Sequence, residues 1–138
     1  MPEVNDWNAT IIDEFRSNQG RVGGRFEGAP VLLLTTKGAK TGQTRVNPMM
    51  YLDEDGVAYV FASFAGRPTN PAWYHNLVAH PQVTVEIGTE TFDATARVIT
   101  GADRDRIYAR QAELYPGFAE YQEKTSRVIP VVALDRVS

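Results

Sequence analysis

Two turn signals flanked by alternating apolar residues, Asp53-Glu54-Asp55-Gly56 and Gly88-Thr89-Glu90, commit the middle of the chain to antiparallel hairpins. Residues 44–52 and 57–64 read as strands around the first, and 83–87 and 91–100 around the second. The run Val31-Leu32-Leu33-Leu34-Thr35-Thr36 is short, apolar and Thr-ended, the pattern of a buried strand, and 128–134 reads as a last strand. Helices are predicted between these runs. Asn5-Asp6 caps the first, with Trp7, Ile11, Ile12 and Phe15 on one face. Asn70-Pro71 opens a second over 72–79, with Asn70 as cap and proline at the first helical position. An amphipathic helix follows over 103–114, then a helical turn through Tyr121. Six short strands joined mostly by tight turns predict a small antiparallel barrel with peripheral helices, α+β or mainly β, rather than a doubly wound sheet.

At 138 residues the chain has the size of one domain and buries roughly two-thirds of its unfolded surface. The expectation is a single domain over 1–138, with 1–19 as an N-terminal amphipathic helix. The absence of cysteine removes disulfides, thiolate metal sites and cysteine nucleophiles. Met1-Pro2-Glu3 has no basic n-region and no apolar h-region follows, so no secretory signal is expected and the default location is the cytoplasm. A net charge of −3 disfavours a nucleic-acid binder. The charge is unevenly spread. Residues 15–52 hold six basic side chains (Arg16, Arg21, Arg25, Lys37, Lys40, Arg45) and one acid, Glu27, a net of +5 against −8 for the remainder. Such segregation fits either a localised anionic ligand or a solvated basic face.

The turn Gly38-Ala39-Lys40-Thr41-Gly42 sharpens this choice. A Walker A loop ending on Lys40-Thr41 needs glycine where Leu34 and Ala39 stand, and a strand rather than a helix follows. What remains is a glycine-flanked turn in which backbone N–H groups, the Thr41 hydroxyl, Lys40 and nearby Arg45 suit a phosphate, although many hairpin tips carry lysine. Arg45, Asn47 and Met49 share one strand face, and Pro48 implies an edge or a bulge. The small residues around Ala62 and Ser63 would let a flat ring approach the backbone, or pack a core. His75 and His80 lack the i, i+4 zinc spacing, and no acid–His chain points to Ser63 or Ser126, so neither a metal site nor a hydrolase triad is expected. Tyr74, Tyr108, Tyr115 and Tyr121 are the remaining proton donors; Tyr108 and Tyr115 lie seven apart on one helical face, where packing is the plain reading. The residue chemistry favours binding over side-chain catalysis, which leaves an enzyme whose cofactor carries the reaction.

The run from Gly20-Arg21-Val22-Gly23-Gly24 through Thr35-Thr36-Lys37-Gly38-Ala39-Lys40-Thr41-Gly42 resembles the deazaflavin-dependent nitroreductase family. The likeness continues through Arg45-Val46-Asn47-Pro48, Asn70-Pro71-Ala72-Trp73-Tyr74-His75-Asn76-Leu77, Leu114-Tyr115-Pro116 and Ile129-Pro130-Val131-Val132. It implies a split β-barrel of the FMN-binding type and an oxidoreductase that uses reduced coenzyme F420. It further implies that Ala39, Lys40, Thr41 and Arg45 hold the coenzyme's phosphate and acidic tail. Val46, Asn47, Pro48, Phe61, Ala62, Ser63 and Phe64 would meet its ring side, and Ala72, Trp73, Tyr74, His75 and Asn76 would complete the cleft. Ser63, Tyr115 and Tyr121 match positions that shape the acceptor pocket or supply a proton. Phe118 stands where nitroimidazole-activating members have a tyrosine, which sets nitroimidazole activation apart from hydride transfer. The implied acceptors are a quinone, an activated enone or unsaturated lactone, or a nitroaromatic. The alternatives are an FMN-dependent oxidoreductase on the same barrel and a non-catalytic deazaflavin carrier. The implied partners are limited to the small-molecule acceptor, with no nucleic acid, no strong membrane binding beyond a transient peripheral contact, and a monomer or homodimer as assembly.

Overall fold

A computed structural model of the chain describes residues 6–18, 20, 30–54, 56–63, 70–125 and 128–137, with side chains from Thr10 onward. Trp7's side chain, Phe64 and Ser126 lie outside the described residues, as does most of the glycine-rich run before Pro30. The elements run α1 (Asp6–Ser17), β1 (Val31–Lys37), β2 (Thr44–Glu54), β3 (Val57–Phe61), α2 (Ala72–Ala79), β4 (Gln82–Ile87), β5 (Glu90–Ile99), α3 (Gly101–Leu114), α4 (Gly117–Glu123) and β6 (Val131–Arg136). All strand pairs are antiparallel and close a barrel in the order β1-β2-β3-β6-β5-β4, with β4 returning to β1. This is the mainly antiparallel α+β barrel expected from the turn pattern.

Strand side chains alternate between the barrel interior and its outer face. Leu32 and Leu34 of β1, Ala58 and Val60 of β3, Val83 and Val85 of β4, Ala94 of β5, and Val132 and Leu134 of β6 fill the interior, and Leu77 of α2 joins them. The outer-facing residues are covered in two places. Val31 and Leu33 pack under Ile11, Ile12 and Phe15 of α1. Phe61, Val131 and Ala133 pack under Ile107 and Tyr108 of α3 and Phe118 of α4. This double covering explains the unbroken apolar run of β1: neither face meets water.

β2 changes partners part-way along. Residues 44–50 pair with β1, from Lys37 opposite Thr44 to Val31 opposite Met50, and 51–54 pair with β3. The first half of β2 therefore has a strand on one side only among the described residues. Pro48, which has no N–H to give a ladder, sits in this half, where a missing donor costs little.

Several boundaries differ from the sequence expectation: β2 runs on to Glu54, α3 opens at Gly101 and β6 ends at Arg136, and three more bear on the packing around the barrel. β3 ends at Phe61, not at 64; Ala62 leaves the ladder, although its N–H still reaches Pro130 O at 3.0 Å. Pro71, not Asn70, holds the cap position of α2, and no side-chain cap bond forms there. β6 starts at Val131, three residues later than expected, because the preceding backbone is diverted: Ile129 N–H donates to Gln122 Oε1 at 3.1 Å and Ile129 O accepts from Arg104 Nε at 3.0 Å.

Candidate active site

The one-sided half of β2 forms a wall of an open cavity of about 900 Å³. The β1–β2 turn supplies Gly38, Ala39, Lys40 and Thr41; β2 supplies 44–48; α2 and its start supply Pro71, Ala72, Trp73, His75 and Asn76; α1 supplies Ile12 and Arg16. Residues from four separate elements thus converge on one volume in the range of small-molecule and cofactor pockets.

The turn is tightly specified. Gly38 N–H donates to Gln43 O at 2.7 Å, and Gly42 N–H returns to Gly38 O at 2.9 Å. Gly42 has φ of +75°, a conformation that side chains rarely adopt. A Cβ on Gly38 would lie 3.0 Å from Thr41 Oγ1 and 3.1 Å from Gln43 O, so the turn closes only with glycine or with a shift of its backbone. Thr41 Oγ1 accepts from Gln43 N–H at 3.3 Å, which leaves its hydrogen to donate outward.

Asn76 ties this turn to α2. Its Oδ1 accepts from Ala39 N–H at 3.0 Å and its Nδ2 donates to Thr36 Oγ1 at 3.2 Å. Asn76 and Thr36 are both buried, so breaking the pair would leave polar atoms unsatisfied away from water. Asn76 therefore serves the site first by holding Ala39 and α2 together.

Two of the three cations lining the cavity, Lys40 and Arg45, have no ion-pair partner among the described residues; the third, Arg16, is held by Glu86. Among the described residues no carboxylate lies within ion-pair distance of Lys37, Lys40 or Arg45, whereas Arg97, Arg104, Arg106, Arg110 and Arg136 each reach one. Lys40 is exposed and Arg45 half-buried. Unpaired cations beside a glycine turn are poised for an anionic ligand.

The expected site residues fall into two groups. Ala39, Lys40, Thr41, Arg45, Val46, Asn47, Pro48, Ala72, Trp73, His75 and Asn76 meet at the cavity. Phe61, Ala62, Ser63, Tyr74, Tyr115, Phe118 and Tyr121 are not among its lining residues. Tyr74 packs against the barrel interior instead. Phe61 and Phe118 are core residues, their rings 5.6 Å apart and edge-on, with Tyr115 and Tyr121 packed against the same cluster. Ala62 is buried and Ser63 half-buried just beyond β3. Thr36, Gly38, Thr44 and Pro71 were legible as neighbours of the motifs. Ile12 and Arg16 had no such signal, because α1 reaches the cavity only through the fold. Among the described residues no three His, Asp or Glu side chains gather as a metal site.

The sequence model of the F420H(2)-dependent quinone reductase family matches residues 7–136. The chain belongs to that family. Its class is oxidoreductase and its cofactor reduced coenzyme F420, as the motifs imply. An F420H(2)-dependent quinone reductase of Mycobacterium tuberculosis is 43% identical over 129 residues, covering 88% of this chain and 85% of that protein. A solved F420-H2 dependent reductase superposes with a TM-score of 0.71 at 42% identity, over 77% of this chain and 94% of that one. A structure described as a domain-swapped dimer gives a TM-score of 0.73 at 39% identity, over 92% and 93%. The donor set fits the family's cofactor: a phosphodiester and an acidic tail call for the unpaired cations and the hydroxyl that the β1–β2 turn presents. No described helix is long and apolar enough to cross a membrane.

Proposed function

We propose that this F420H(2)-dependent reductase seats its coenzyme in the cavity beside the one-sided half of β2 and reduces a quinone. The observation that carries the placement is the pair Lys40 and Arg45, without carboxylate partners among the described residues, at a cavity that spans four elements. In this reading Lys40, the Thr41 hydroxyl and Arg45 hold the phosphate and tail. Asn47, Pro48, Trp73 and His75 border the ring, and Asn76 fixes the turn. Bound reduced coenzyme supplies a hydride at its C5 carbon. The chain's own task is then to bind, to orient and to keep water from the ring. For the acceptor we assign Ser63, Tyr121 and Tyr115 as hydroxyl donors to a quinone oxygen. A phenol or alcohol O–H can donate a hydrogen bond to a carbonyl oxygen.

Fluorescence titration with F420 and with FMN, followed by oxidation of the pre-reduced coenzyme by a panel of quinones, enones and nitroaromatics, tests the whole reading. Tighter binding of F420 and turnover with a quinone are the expected results. Binding without oxidation by any acceptor would reduce the protein to a carrier. The likeness to a domain-swapped dimer supports a homodimer over a monomer. The location proposed is the cytoplasm, with negligible binding to anionic vesicles as its check.

A further inference from the structure

α1 reaches the cavity without belonging to any motif, and its attachment is specific. A helix of 12 residues is marginal alone in water, so its position depends on what it touches. Ile11, Ile12 and Phe15 seat it on Val31 and Leu33. Its last turn is fastened elsewhere, to the β4–β5 hairpin. Arg16 Nε donates to Glu86 Oε1 at 3.1 Å and Nη2 to Glu86 Oε2 at 2.8 Å, a two-pronged pair across 70 residues of sequence. Just beyond, Gly20 turns the chain at φ +93° and lies so close to the hairpin that a Cβ there would sit 2.5 Å from Gly88 Cα. Gly88 is two residues past Glu86, so the fork and the backbone contact form one seat.

Arg16 also lies between two spaces. It lines the large cavity with Ile12, one helical turn away, and a smaller cavity of about 240 Å³ bounded by Phe15, Glu86 and 88–91. The Glu86 pair raises the guanidinium's pKa, through its hydrogen bond first and its charge second. Two of the guanidinium's three nitrogens are spent on Glu86, unlike the unpaired ends of Lys40 and Arg45.

We infer that Arg16 is a positioning residue: its fork to Glu86 latches α1 in place as a wall of the coenzyme cavity. The inference rests on the proposed seat of the coenzyme. It makes a prediction of opposite sign to the simpler idea that Arg16 is another ligand-binding cation. If the fork is a latch, removing Glu86 loosens the wall and weakens binding. If Glu86 only neutralises a cation meant for the ligand, removing it frees Arg16 and tightens binding of an anionic coenzyme.

The experiment compares Glu86→Gln, Arg16→Lys and the double variant in the full chain, by F420 fluorescence titration and by amide hydrogen exchange of residues 10–18 without coenzyme. Arg16→Lys keeps the charge and loses the fork. The latch predicts about threefold weaker coenzyme binding in each single variant, the scale of a partly exposed ion pair. It also predicts faster exchange in α1, and a double variant no worse than the weaker single. Tighter binding by Glu86→Gln overturns it. Unchanged α1 exchange, or faster exchange with unchanged affinity, overturns it equally. Failure of the unmodified protein to bind F420 is a separate result: it sinks the proposed seat and the cleft role of the latch with it, while exchange still reports whether the fork holds α1.

Discussion

On the flank of the barrel covered by α3 and α4, the arginines are paired inside the protein; on the flank of α1 and α2, Arg16 is paired with Glu86, but Lys40 and Arg45 have no carboxylate partner among the described residues. Arg106 and Arg110 both approach Glu54, and Arg97 forks onto Asp135. Arg104 is buried, stacks 4.5 Å from the Tyr108 ring centroid and donates to Ile129 O, Asp105 and Gln122. That network closes α4 onto the approach to β6. Elsewhere on the barrel, Lys40 and Arg45 line a cavity with no such partner among the described residues. A folded chain gains little from an isolated surface pair, so pairing by itself is not a measure of stability. What differs is what each flank has left to give a ligand: the α3–α4 arginines are spent on partners within the protein, whereas Lys40 and Arg45 have no carboxylate partner among the described residues.

The largest effect expected belongs to the matched flank. Phe61→Ala should cost about 3–5 kcal/mol of stability, read by denaturant unfolding, because Phe61 is buried between Tyr108 and Phe118. Coenzyme affinity of the folded variant should barely change. A fall of more than about tenfold, roughly 1.4 kcal/mol, would make Phe61 a coenzyme contact and blur the division between flanks. On the cleft side the signature reverses. Lys40→Ala and Arg45→Ala should each weaken F420 binding by about 1.5–3 kcal/mol with little change in stability. Since Lys40 is exposed, its loss should matter less at high salt.

Asn76 tests the joint between the two behaviours. Asn76→Ala leaves Thr36 and Ala39 N–H without their partner, so stability should fall by about 1–3 kcal/mol and coenzyme affinity should fall with it. A loss confined to affinity would make Asn76 a direct coenzyme contact rather than a brace. Tyr121→Phe should lower turnover by about three- to tenfold, the worth of one hydrogen bond, with coenzyme affinity intact. Normal turnover with every active acceptor would leave Tyr121 as packing in the Phe118 cluster.

The smallest effect is one of pH. Burial first, and Asp53 second, raise the Tyr51 pKa above its ordinary 10.0. The folded state therefore resists ionisation of this phenol. The contribution of Tyr51 to stability should be constant below about pH 10, the unfolded value, and be lost as pH climbs from there through the folded value. Tyr51→Phe should flatten that decline; an unchanged alkaline limb would assign it to other groups.

Turn chemistry and strand alternation are local properties, which is why the six strands, the barrel class and the α2 span of 72–79 could be read directly. The glycine turn, Lys40, Arg45 and the 70–77 motif were equally legible, since each is a short contiguous run. The start of β6 was not, because side chains of two other elements, Arg104 of α3 and Gln122 of α4, hold the Ile129 backbone before the ladder begins. The single-strand alternation of β2 predicted that Arg45 and Asn47 share a face. It could not say that pairing with β3 would begin only at Tyr51, leaving residues 44–48 with β1 alone beside the cavity.

The sequence by itself determined the order of the elements, the family and the glycine-flanked turn, because propensity, turn geometry and motif spacing act over a few residues. The tertiary structure alone decided which cations stay unpaired, that Asn76 braces Ala39 and Thr36, and that Arg16 meets Glu86. Those outcomes depend on closing the barrel. Hydrogen bonds and ion pairs reach only a few ångströms, and the partners lie 37 to 70 residues apart until the strands bring them together.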